Sequence, residues 1–409
     1  MKKVLFTRFP LESRFGGAEV QTLSLMKGLG ERGYEVEFLG DCKTLLRAVR
    51  GPRTADRMKE LNIDPPPVTK WNAISFLWRK KGMKKKLIEA LNAERGTLST
   101  VFMLSLSEKL LLTEWCIQNN IKVIWVEHDK VGRWLKWNPW LPRLRKLSRL
   151  ATTVTVSDLS RDIYLDMGWR EEDVISIPNG VETRLSSSEA PSKELNREAP
   201  LHSSASADSV EESNNVHPRK ARNFRIGCIS RLTYDKGVDL LIEAIKDLSN
   251  VELEIVGNGP ERNKLIKACS RCNIQKQTSG QQKIELVESI PNIEEFYNRI
   301  DCLVLPSREN DPFGLVIAEA MMRGIPTICT DACGISRHIS SEDSIIVPAG
   351  SSNKIKAAIT EIQKEEVLEK LSRNGEKSAR ERFSVERMVN QYINVIKTTN
   401  EKCTMKNVQ

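Results

Sequence analysis

Short apolar runs alternate with helical patterns along almost the whole of this chain, and the rhythm fails once, between Leu185 and Arg222. Before the break, residues 3–7, 35–40, 101–104, 122–126 and 152–156 read as strands, and residues 18–31 as a helix stopping before Gly33. After it, residues 224–229, 251–256, 301–305 and 326–329 read as strands, with helices over 240–248 and 314–323. Strands that alternate with helices imply parallel, doubly wound sheets. The interruption holds nine serines between Ser186 and Ser213 and almost no large apolar residues, too little to offset the entropy of ordering. At 409 residues the chain also exceeds the ~250–300 at which single cores stop growing. The expected organisation is therefore a Rossmann-like α/β domain over 1–184, a disordered linker over 185–222, and a second such domain over 223–383. A terminal helix and tail follow over 384–409.

Hydrophobic residues make up 40% and charged residues 29%, which describes a globular rather than a disordered chain. No apolar run approaches the ~20 residues needed to cross a bilayer. The basic start resembles a signal peptide, but Arg8 and Pro10 cut its apolar stretch short, so it reads as a first strand and the protein is expected in the cytoplasm. Nine scattered cysteines suggest no disulfide framework, and Cys269, Cys272, Cys329 and Cys333 read as thiols rather than metal ligands.

The net charge of +9 is unevenly spread: from Trp71 to Arg149 there are sixteen Lys/Arg against six Asp/Glu. Seven of the eight tryptophans fall in the same stretch. Cations with tryptophan suit an anionic bilayer surface, through residues 71–86 and 132–150. No nucleic-acid-binding motif accompanies the charge.

Four motifs stand at strand ends, where doubly wound sheets bind ligands. Asp311, Phe313, Gly314, Leu315 and Glu319 follow a strand and open a helix whose first N–H groups suit phosphate or sugar oxygens. Arg231 and Lys236 lie on the loop after the strand at 224–229 and can offset a diphosphate. Gly16 and Gly17 allow close backbone approach after the first strand, without the GxGxxG of a dinucleotide site. His128 ends another strand, with Asp129 beside it.

The segment from Asp311 to Glu319, followed by Gly324-Ile325-Pro326, resembles the E-x(7)-E signature of the retaining glycosyltransferase family 4, with Asp at its first acid. Arg231 and Lys236 resemble that family's diphosphate clamp, Gly16-Gly17 its N-terminal glycine loop, and His128 the histidine of its sugar pocket. The resemblance implies a GT-B fold, with two Rossmann-like domains facing across a cleft, and sugar transfer from a nucleotide diphosphate-sugar. It implies no metal or other cofactor. Arg231, Lys236, His128 and Asp311 are the expected catalytic residues. Gly16, Gly17, Phe313, Gly314, Leu315 and Glu319 join Arg231 and Lys236 around the donor, with Glu319 on the ribose. The expected acceptor is lipid-linked, in polysaccharide or glycolipid synthesis on the cytoplasmic face of a membrane. A soluble acceptor, as in sucrose or starch synthesis, and a non-catalytic sugar-nucleotide-binding subunit are the alternatives.

Overall fold

The computed structural model describes residues 2–10, 16–48, 58–92, 98–128, 133–182, 223–276 and 283–398. The expected linker and the tail beyond residue 398 lie outside the described residues, as does Asp129. Two parallel sheets organise the molecule.

The first sheet contains β1 (Lys3–Arg8), β2 (Glu35–Gly40), β3 (Met58–Glu60), β4 (Leu98–Met103), β5 (Lys122–Glu127), β6 (Thr152–Thr155) and β7 (Val174–Ser176). Its spatial order is β3-β2-β1-β4-β5-β6-β7, all parallel. Every residue of β1 is buried, as parallel strands covered on both faces require. The covering helices are α1 (Gly17–Glu31), α2 (Lys43–Ala48), α3 (Lys70–Asn92), α4 (Leu106–Gln118), α5 (Leu141–Ser148) and α6 (Asp158–Asp166).

The second sheet contains β8 (Phe224–Ile229), β9 (Val251–Val256), β10 (Ile284–Val287), β11 (Cys302–Leu305), β12 (Thr327–Thr330) and β13 (Ile345–Val347). Its order, β10-β9-β8-β11-β12-β13, repeats the first arrangement. The helices α7 (Val238–Ile245), α8 (Arg262–Lys276), α9 (Ile293–Arg299), α10 (Leu315–Met322), α11 (Ser352–Ile362) and α12 (Glu365–Arg382) surround it. The sheet order reverses between β1 and β4 and again between β8 and β11, so each half has one switch point.

The last helix, α13 (Val385–Lys397), belongs to the second half in sequence and to the first in packing. Met388, Val389, Tyr392, Ile393 and Ile396 share a core with Val4, Phe6, Leu25 and Leu29. A Cβ on Gly28 would lie 2.5 Å from a Val389 methyl carbon, so α1 and α13 are in direct contact there. Lys122 reaches across as well and donates to the carbonyls of Val395 and Thr398.

The tryptophan-rich stretch does not form one surface. Trp125 is fully buried and donates to Thr113 Oγ1 at 3.1 Å. Trp140 packs on Phe76 and donates to the Ala73 carbonyl at 2.8 Å. Among its cations, Arg143 pairs with Glu114 at 2.5 Å and Arg145 donates to the Met167 carbonyl. These residues hold the first domain together; among the described residues Trp71, Trp78 and Trp137 are the exposed tryptophans.

Candidate active site

Both switch points carry loops singled out in the sequence. Around the first, two buried glutamates pin the backbone. Glu19, in the first turn of α1, accepts from the Gly16 N–H at 3.1 Å and from the Arg8 guanidinium at 2.5 Å. Glu108, in the first turn of α4, accepts from the Ser105 N–H at 2.7 Å and from Thr7 Oγ1 at 3.4 Å. Burial pushes the Glu108 carboxyl up to about 8, despite backbone hydrogen bonds and the nearby Lys109 and Arg8 cations, which favour the charged form. The sequence reading missed both glutamates. Their signal was the spacing from cap to third helical residue, Gly16 to Glu19 and Ser105 to Glu108, at which a glutamate carboxylate reaches back to the cap N–H.

At the second switch point the loops after β8 and β11 touch. Gly237 has φ of 65°, and a Cβ there would lie 2.1 Å from the Pro306 carbonyl oxygen, so glycine serves both the turn and the contact. Lys236 Nζ pairs with Asp311 Oδ2 at 2.6 Å, and Ser307 Oγ donates to the same oxygen at 3.4 Å. Their side chains are only 14% and 10% exposed. The sequence put Arg231 and Lys236 on one loop; the structure gives them different surroundings. The Arg231 side chain is exposed, and its carbonyl accepts from the Thr233 N–H at 2.9 Å, whereas Lys236 is enclosed and paired. Arg308 braces the same loops, holding Asp239 through two contacts of 2.5 and 2.6 Å and lying 4.5 Å from the Tyr234 ring centroid.

Beyond Asp311, Gly314 caps α10 at φ of 92° and accepts from the Ile317 N–H at 3.0 Å, while the N–H groups of Leu315 and Val316 begin the helix with no acceptor within it. The Phe313 side chain is buried against Phe383, so only its backbone is left for a ligand. Glu319 lies further along α10, half-buried, and accepts from Tyr297 Oη at 2.7 Å. Burial raises the Glu319 carboxyl, and the Tyr297 hydrogen bond opposes that rise. Arg323 stacks 4.4 Å from the Tyr297 ring and pairs with Glu294 at 2.5 Å.

The two switch points face one another. A Cβ on Gly17 would sit 2.6 Å from Leu315 Cδ1, so the N-terminus of α1 meets that of α10 across the domain boundary. The boundary is joined nearby by Ser157 Oγ, which donates to the Pro312 carbonyl at 2.5 Å, and by the Asp158 N–H, which donates to His338 Nε2 at 3.3 Å. His128 follows β5, two strands from β1, and is half-buried. Beside it, Glu127 pairs with Lys109 at 2.7 Å. Two helix N-termini and one enclosed Lys–Asp pair thus converge where two domains meet, with Arg231 exposed on the loop after β8. Such a site binds a polyanion along the helix ends and stabilises charge developing on it.

Residues 15–185 match the family model described as Glycosyltransferase Family 4, and residues 209–382 match Glycosyl transferases group 1. The chain carries the two domains of a GT-B glycosyltransferase. Among curated relatives, the lipopolysaccharide core biosynthesis glycosyltransferase LpsD of Rhizobium meliloti is 29% identical over 174 residues, covering 42% of this chain and 49% of that protein. The capsular polysaccharide biosynthesis glycosyltransferase CapM of Staphylococcus aureus is 28% identical over 168 residues, 40% of this chain and 43% of CapM. The matched region therefore spans less than half the length of these relatives. Anabaena HepE, solved in complex with UDP, superposes with a TM-score of 0.72 at 17% identity, covering 98% of this chain and 100% of HepE. Sucrose-phosphate synthase from Thermosynechococcus elongatus gives 0.68 at 15%, covering 97% and 98%. At such identities these neighbours establish the GT-B fold.

Proposed function

We propose that this GT-B glycosyltransferase moves a sugar, with retention of anomeric configuration, from a nucleotide diphosphate-sugar to a lipid-linked acceptor in polysaccharide or glycolipid assembly. The observation that carries the reading is the meeting of the α1 and α10 N-termini, with the Lys236–Asp311 pair on the loops of the same switch point. A diphosphate lying along the α10 N-terminus is stabilised by its N–H groups and by the exposed Arg231 guanidinium. As the bond to the anomeric carbon breaks, charge builds on the leaving phosphate, where Arg231 and Lys236 oppose it. Glu319 takes the ribose hydroxyls, with Tyr297 fixing its carboxylate. Asp311, the backbone of residues 313–315 and His128 position the transferred sugar, while Gly16 and Gly17 let the acceptor side approach. Two protein cations supply the charge stabilisation, so the reading requires no metal or other resident cofactor. The polysaccharide enzymes among the relatives support the acceptor class, and the enzyme is read as peripheral on the cytoplasmic face of an anionic membrane.

The test is a thermal-shift panel of UDP-, GDP- and ADP-sugars, followed by transfer from the stabilising donor to a lipid-linked sugar in detergent. Ligand at one hundred times its dissociation constant adds about 2.7 kcal/mol of stability, an easily measured rise. One donor class should stabilise the protein and be consumed, and the product anomer should match the donor's. No response to any sugar nucleotide overturns the donor site, an inverted product overturns retention, and transfer only to soluble sugars overturns the acceptor.

A further inference from the structure

Among the described residues the large apolar side chains left exposed are few: Val20, Trp71, Ile74, Leu77, Trp78, Trp137 and Tyr234. Four of these seven occupy the first two and a half turns of α3. Trp71 is 82% exposed, Trp78 73%, Leu77 51% and Ile74 48%. At 100° per residue, Trp71, Ile74 and Trp78 fall on one side of the helix. Ala73, Phe76, Met83 and Leu87 line the other side, which is buried on the first domain. α3 is therefore apolar on both sides over its N-terminal half, which packing inside the domain does not explain. The outward stripe continues into Lys81 and Lys85, both exposed, with Lys70 and Lys86 exposed at its ends.

Trp137, 86% exposed, comes from a separate 3₁₀ turn at Arg133–Trp137. Its neighbour Asn138 is buried and donates to the Pro67 carbonyl at 2.9 Å, just ahead of α3. Trp140 donates to the Ala73 carbonyl at 2.8 Å, stacks edge-on against Phe76, and carries Lys80 5.2 Å from its ring centroid. These contacts fix the turn beside the start of α3, so an exposed tryptophan some sixty residues distant in sequence stands next to that helix. Lys136 is exposed next to it.

We infer that Trp71, Ile74, Trp78 and Trp137 form a rigid docking face that inserts into the headgroup region of an anionic bilayer, with Lys70, Lys81, Lys85, Lys86 and Lys136 on its phosphates. Three indole rings beside a ring of lysines suit an interface that is apolar at depth and negative at its surface. A protein partner of equal apolar area would need carboxylates opposite five lysines; a bilayer containing phosphatidylglycerol presents both features at once. The insertion is preformed, because packing and hydrogen bonds within the domain already hold α3 and the turn in place. The inference rests on the lipid-linked acceptor proposed above and specifies how the enzyme meets the membrane that carries it.

The experiment is sedimentation with vesicles of phosphatidylcholine alone or mixed with phosphatidylglycerol, paired with quenching of tryptophan fluorescence by brominated phosphatidylcholine in the same mixtures. The full chain should sediment with the mixed vesicles and be quenched by the brominated lipid. W71S/W78S/W137S should lower vesicle affinity at least about tenfold and abolish the quenching, the expected result of withdrawing three interfacial indoles. K81E/K85E should lower affinity for mixed vesicles and flatten its dependence on salt while leaving quenching at saturation unchanged. Both variants should keep the parent's thermal midpoint and donor response, since the substituted side chains are exposed. Undiminished binding by the tryptophan variant, or no binding by the parent to either vesicle, overturns the docking face. So does a parent dimer that the tryptophan substitutions dissociate without any vesicle binding, because the face then serves a second copy of the chain. Transfer to lipid-linked sugar in detergent is read separately. Transfer without vesicle binding removes the face and keeps the function; binding without transfer does the reverse.

Discussion

Lys236 and Arg231 look alike in the sequence and differ in the structure, and the difference sets what their removal does. Arg231 is exposed and its guanidinium supports nothing in the fold. Arg231→Ala should therefore keep the thermal midpoint within a degree or two and lower turnover by about 10²-fold or more, as loss of a charge-stabilising donor does. Lys236→Ala instead strands Asp311, whose carboxylate is enclosed and paired at 2.6 Å. Removing one partner of a buried pair costs about 3–5 kcal/mol, so this variant should lose stability as well as activity, and Lys236→Ala/Asp311→Asn should recover much of the stability but not the activity. Denaturant melts beside turnover measurements separate the two effects; a Lys236→Ala protein as stable as the parent contradicts the pairing. Glu319→Ala should weaken nucleoside diphosphate binding by about 2–4 kcal/mol, roughly 30- to 1000-fold, because ribose hydroxyls lose a carboxylate. Tyr297→Phe, which only frees that carboxylate from its 2.7 Å donor, should cost less. Calorimetric titration with the preferred nucleotide decides it, and equal affinities in all three proteins remove Glu319 from the ribose.

At the scale of elements, helix starts and helix contacts carry the predictions. The Ser105–Glu108 capping box at α4 places a carboxyl in a fully enclosed position, where burial raises it from the ordinary value to about 8. A carboxyl raised on folding binds more protons in the native state than in the unfolded one. Its contribution is thus intact below the unfolded value and declines as pH climbs towards 8. Stability should fall across that window by an amount on the order of a few kcal/mol, and Glu108→Gln, which keeps an acceptor for Ser105, should flatten the slope. An unchanged pH profile in Glu108→Gln would mean another group sets it. The α1–α13 contact gives a second test. Gly28→Ala forces a methyl to within 2.5 Å of Val389, and overpacking of that kind costs about 1–3 kcal/mol, a fall of several degrees in thermal midpoint. Val389→Ala in the same chain should restore part of the loss by making room. The helix expected to run to Leu248 also shows how local contact sets an element's bounds: α7 starts at Val238, directly after the left-handed Gly237, and ends at Ile245.

For the whole molecule, two sheets of repeated order meet through their switch points, and α13 returns to clasp the first. Each half closes its own sheet on either side of the serine-rich stretch. Shortening that stretch by about twenty residues within 186–215 should leave the thermal midpoint and donor response intact, since loop-closure entropy changes slowly with length. Limited proteolysis should cut the parent there first; a deletion that unfolds the protein would show that the stretch carries structure. The alternation of apolar and helical runs sufficed to name two parallel α/β layers, because period and strand-end position are local properties of a chain. For the same reason Arg231, Lys236, Asp311 and Glu319 could be placed at strand ends from their residues and spacing alone. The short edge strands β3, β7, β10 and β13, of three or four residues, carried too little pattern to be seen. Pairing was beyond the sequence as well. That Lys236 closes on Asp311, that Gly17 meets Leu315, and that Trp125 and Trp140 are packed inside while Trp71 and Trp137 stand outside were all decided by tertiary contact. Tryptophan and lysine have the same identity on either side of a surface. Only the packing of elements distant in the chain determines which of them water, a donor or a membrane can reach.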